Sequence, residues 1–160
     1  MKSIGAILRG TFLSLIVGLL LAFGIMWPIS EAFFSPEMIG RAGWMIVLMG
    51  FACAVAFYFG GMISSYHAPS RRQLHGVLVA PLTFLISPAI NLATGKGAFP
   101  QVDEVPGAPL LVALFLLVAI IAAYVGARRG KALHEHNAQY LRRRAATERA
   151  RKARTQTNEE

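Results

Sequence analysis

The chain has one cysteine, few charges and no charged residue in its longest apolar runs. Cys53 alone excludes an intramolecular disulfide and a metal site built from cysteine pairs. Charged residues make up 15% of the 160, and none falls within 10–30, 42–70, 73–95 or 105–127. Proton relays, voltage sensors and ion-coupling sites inside a membrane rest on such residues, so an ion-driven pump is not expected. Catalytic constellations are missing as well. There is no HExxH motif and no set of paired carboxylates. Ser87 and His75 are 12 residues apart on one expected helix, about 18 Å along its axis, too far for the imidazole to activate the hydroxyl. The reading is therefore non-enzymatic, with no cofactor and no metal.

What the chain does have is apolar length. Hydrophobic residues reach 55% and the mean hydropathy is +0.51, outside the range of soluble domains. A helix needs about 20 largely apolar residues to cross the hydrocarbon, since its amides find partners only within itself. The four uncharged runs meet that length. The expected fold is all-α: an integral membrane four-helix bundle over residues 1–130, with helices near 8–30, 42–66, 74–95 and 106–129. A basic cytoplasmic helix or tail over 131–160 follows. The first run exceeds the length of a signal-peptide core, so it reads as a retained anchor.

Charge orients the bundle. Fourteen of the sixteen Lys and Arg residues lie at the N-terminus, at Arg71 and Arg72, or from Arg128 onward; only Arg41 and Lys96 lie on the other side. By the positive-inside rule both termini are cytoplasmic. Trp27, Phe33, Phe34 and Trp44 bracket the first outer connection, as residues seated among headgroups do.

Two helices carry stripes of small residues. Gly43, Gly50, Ala54 and Gly61 fall within about 40° on the second helix at 100° per residue, and Ala119, Ala123, Gly126 and Gly130 repeat the device on the fourth. Small residues let membrane helices approach closely, where dispersion and short polar contacts must hold them. In the third helix Thr83, Ser87, Asn91 and Thr94 share an arc of about 80° with Gly76 and Ala80; Leu78, Leu82, Leu85, Ile86 and Leu92 lie opposite. Pro81 and Pro88 predict a kink or local unwinding, freeing the carbonyls of Val77 and Phe84. The polar arc fits interhelical hydrogen bonds; the alternative is a polar passage in a small transporter or channel component.

After Gly130 the sequence lacks Pro and Gly and is rich in Ala and Arg, which predicts that the fourth helix continues. Arg142, Arg143, Arg144, Arg149, Arg151, Lys152 and Arg154 suit anionic lipid headgroups or an acidic partner; nucleic acid is not expected, for no aromatic interleaving accompanies them. One local pattern, Gly60-Gly61, then Arg71-Arg72, then His75-Gly76, resembles a group of small, uncharacterised bacterial four-span membrane proteins. The match covers Gly43 to Asn91 and excludes the basic tail. The resemblance implies a bacterial inner (plasma) membrane and a four-helix fold, and supplies no activity. The expected role is an accessory or scaffold protein in a larger membrane assembly, with the lipid bilayer around it and a membrane-protein partner or a second copy of the chain beside it.

Overall fold

The structure, a computed structural model, describes residues 2–26, 28, 42–95 and 107–157. The connections over 29–41 and 96–106, with Phe33 and Phe34, lie outside that description, as do Trp27 and the side chain of Trp44. Helix α1 spans Lys2–Leu21 and ends in a π-helical turn, Ala22–Met26. Helices α2, α3 and α4 span Ala42–His67, Arg72–Ala93 and Ala108–Thr157. No strand occurs among the described residues. All four helices are long and apolar enough to cross a membrane.

Helices α2 and α3 touch every other helix, whereas α1 and α4 have no common contact among the described residues. The bundle is filled with small side chains. Ala6, Ala56, Ala80, Ala119, Ala123 and Ala127 are buried, with Phe57 and Val79 as the larger pieces. The bulky residues point outward: Phe12 is 67% exposed, Phe51 66%, Leu85 63% and Leu110 75%. A soluble bundle would bury these side chains to remove them from water. In a bilayer, lipid tails would solvate them equally well, and an interior of small residues then selects for close approach instead.

That approach is tightest at glycines. A methyl group on Gly126 would strike the carbonyl of Tyr58, on Gly130 that of Met62, and on Gly61 that of Ala123. On the other side of α2, a methyl on Gly10 would lie 2.5 Å from the Gly60 carbonyl oxygen and 2.7 Å from Ser64 Cβ. A methyl group on Gly76 would collide with Ala127 and lie 2.7 Å from the Gly61 carbonyl oxygen. Only a residue without a side chain lets the backbones sit this close.

Two expectations change. Helix α1 starts at Lys2 rather than near residue 8, so its membrane-length segment, Ser3–Ile25, includes Arg9. An arginine fits near the end of a span because helical side chains lean toward the N-terminus and the long stem carries the charge to the interface. Arg9 is exposed, consistent with that route. The second change concerns α3, which stays α-helical through both Pro81 and Pro88 and is not locally unwound. The helix lacks two amide donors yet stays α-helical across both prolines, with Val79, Ala80 and Pro88 buried.

Candidate functional site at the charged end of the bundle

Polar side chains gather where α2 ends, α3 begins and α4 leaves the apolar part of the bundle. The α2–α3 turn is short, and Arg71 completes it in the left-handed region, at φ 42°. Such a backbone is uncommon outside glycine. Around it, Ser64 Oγ donates to the His75 carbonyl at 3.0 Å and Ser65 Oγ to the Ala127 carbonyl at 2.8 Å, both buried. These hydroxyls therefore tie α2 to α3 and α2 to α4 through backbone oxygens.

One turn further out, the ties run between side chains. An Arg72 guanidinium nitrogen lies 2.8 Å from His134 Nε2. Arginine only donates, so the imidazole must accept and carry its proton on Nδ1. Tyr66 packs edge-on against the same imidazole, with ring centres 5.5 Å apart, and its hydroxyl accepts from Asn137 Nδ2 at 3.0 Å. His134 and Asn137 are three residues apart on α4 and share a face. Residues from α2 and α3 thus grip α4 beyond its apolar segment. The remaining described contacts of the histidines are local: His75 Nδ1 is 3.1 Å from the Arg71 carbonyl, and His67 Nδ1 is 3.0 Å from that of Ile63.

The two small-residue stripes divide along their length. Gly61, Ala123, Gly126 and Gly130 sit in the tight contacts described above, and Ala119 is fully buried. Toward the other end, a methyl on Gly50 would meet only the Phe115 ring at 3.6 Å, an ordinary contact. Ala54 is half-buried and lines an outward-opening apolar groove of about 540 Å³ with Tyr58, Val118 and Ala122. Gly43 lies in α2, and its surroundings are outside the description.

The polar arc of α3 is described at Thr83, Asn91 and Thr94. Thr83 is half-buried, and its hydroxyl donates to the Val79 carbonyl of its own helix at 2.7 Å. Asn91 is half-buried; Thr94 is exposed and donates to the Asn91 carbonyl at 3.0 Å. Ser87 is on the same helix, with its side chain outside the description. Gly76 and Ala80 of this arc are buried, while Leu78, Leu82, Leu85 and Leu92 are exposed.

Sequence reasoning missed Gly10, Ser14, Gly60, Ser64, Tyr66, Arg72 and Asn137. The first four were visible as small residues four apart, Gly10 with Ser14 and Gly60 with Ser64, the spacing that marks close helix contacts. No local signal identifies the others, because their partners are 62 to 71 residues away.

Helix α4 continues unbroken for 50 residues. Arg142, Arg143, Arg144 and Arg149 are exposed; Arg144 pairs with Glu148 at 3.2 Å, and Thr147 donates to the Arg143 carbonyl at 3.0 Å. Arg151, Lys152 and Arg154 lie on the same helix. Compared with known protein families, curated proteins and solved structures, the chain matches none.

Proposed function

We propose that this protein is a non-enzymatic scaffold of a larger membrane assembly, and that the extension of α4 is the arm that meets an acidic partner. The observation that carries this reading is the continuity of α4 together with the grip of Arg72 and Tyr66 on its first turns past the apolar segment. An arm held at its base presents its surface in a defined direction, which lowers the ordering cost of docking.

The arm's geometry also favours a protein over the bilayer surface as its counterpart. Along a continuous helix Arg142 lies about 17 Å, and Arg154 about 35 Å, beyond Lys131. Attraction to anionic headgroups fades within a Debye length, about 8–10 Å. The three successive arginines 142–144 fan over about 200° of the helix, a spread suited to a partner that wraps the arm. In this reading the N- and C-termini face the cytoplasm, supported by the placement of the Lys and Arg residues, and the membrane is the bacterial inner membrane, as the local resemblance implies. Thr83, Ser87, Asn91 and Thr94 then act as contacts within the helix and between helices. The Thr83 bond to its own helix supports that role over a passage.

The test is gentle detergent extraction of the full chain from its native membrane, beside a chain ending after Leu141. A stoichiometric protein retained by the full chain and lost from the shortened one supports the scaffold. Solute flux through liposomes holding this protein alone, with no co-purifying protein, refutes it.

A further inference from the structure

The charged end of the bundle encloses a second feature, which shares Arg72 with the grip on α4. A cavity of about 380 Å³ opens between the α2–α3 turn and α4, lined by Arg71, Arg72, Gln73, Leu74 and Lys131. Three of its five lining residues are cationic and none is acidic. We propose that this cavity binds a phosphate group, the chemistry shared by a phospholipid headgroup and free phosphate.

Arg72 supplies the geometry. One edge of its guanidinium is fixed by His134 at 2.8 Å, while its Nε is buried with no hydrogen-bond partner. A guanidinium held by His134 on one edge is preoriented, and phosphate is the anion to which such a fork is best matched. Lys131 adds a movable charge. Its ammonium lies 3.8 Å from Glu135, with both side chains about half exposed, at 46% and 54%, a contact weak enough to yield to a stronger anion. Arg71 contributes a third charge from a backbone that the turn fixes in the left-handed region.

Depth and size agree with this ligand. Arg72 is the first residue of the third membrane-length segment, and Lys131 follows the last buried alanine of α4, Ala127, by one turn. In a bilayer that covers the uncharged runs 73–95 and 105–127, the cavity would sit at the level of the phospholipid phosphates. Its volume is near the lower end of small-ligand sites, roughly 300–1,000 Å³, enough for a phosphate and the glycerol carbons attached to it. The arginines of the arm are not part of it.

The test is native mass spectrometry of the full chain in maltoside detergent, titrated with phosphatidylglycerol, with and without millimolar inorganic phosphate. Wild type should hold one phosphatidylglycerol. The Arg71→Asn/Lys131→Gln double variant should bind it at least ~10-fold more weakly; asparagine tolerates the left-handed backbone, and an unchanged lipid-free melting temperature confirms folding. Arg72→Lys, which keeps the charge and loses the fork, should also weaken binding. Arg142→Gln/Arg143→Gln/Arg144→Gln should bind as wild type. Displacement of lipid by inorganic phosphate assigns the site to free phosphate, and retention of lipid assigns it to the headgroup. Wild-type affinity in the double variant, or binding of neither probe to wild type, overturns the proposal.

Discussion

The half of the bundle next to the α2–α3 turn and the half farthest from it are built from the same residue types but packed differently. Near the turn, Gly60, Gly61, Gly76, Gly126 and Gly130 bring backbones into contact, and Ser64 and Ser65 bridge to carbonyls on neighbouring helices. At the far end Gly50 has ordinary room, and Leu85, Leu92 and Leu110 face outward. A glycine in a stripe is thus no measure of packing by itself; what stands opposite decides. The tight half is also the half from which the arm leaves, so rigidity is concentrated where it can direct α4.

Substitutions can break this contrast. Gly126→Leu should have the largest effect, because a side chain there meets the Tyr58 carbonyl and has no flexible neighbour to displace. Overpacking costs typically 1–3 kcal/mol and more for backbone collisions, so loss of monodisperse protein on size exclusion is expected. Gly60→Ala should be intermediate, lowering the melting temperature in detergent, since its methyl would collide with the Ser14 hydroxyl and lie 2.7 Å from the Gly10 carbonyl. Ser65→Ala removes the 2.8 Å bond to Ala127 and should cost about 0.6 kcal/mol, the average for hydrogen bonds between membrane helices. Gly50→Ala should be nearly neutral by the same melting assay. If Gly50→Ala proved as damaging as Gly60→Ala, the division into a tight and a loose half would be wrong.

The four spans were legible because the bilayer imposes length and composition on each segment separately. The start of α1 was not, since charge-free length marks the hydrocarbon core and a helix can extend past it through Arg9 and Lys2 to the interface. On α3 the small-and-polar arc correctly placed Gly76 and Ala80 inside and the leucines outside. It omitted Val79, which is fully buried although apolar; in lipid, hydrophobicity does not separate inner from outer faces. The prolines suggested a kink or local unwinding because each removes an amide donor; the unwinding does not occur, for α3 is α-helical through both. The grip on α4 by Tyr66 and Arg72 was beyond sequence reading, since it pairs residues from three helices with no repeating spacing. Continuation of α4, in contrast, followed from its uninterrupted run of helix-permissive residues.

The central claim is that the tight end holds the arm in one direction. Pulsed electron spin resonance distances measure this directly, with labels on Ser70→Cys and Ala145→Cys in a Cys53→Ala background, two exposed sites on the α2–α3 turn and the arm. The account predicts one narrow distance distribution that broadens when Tyr66→Phe and Arg72→Ala are combined. A broad distribution in the otherwise native chain would contradict it.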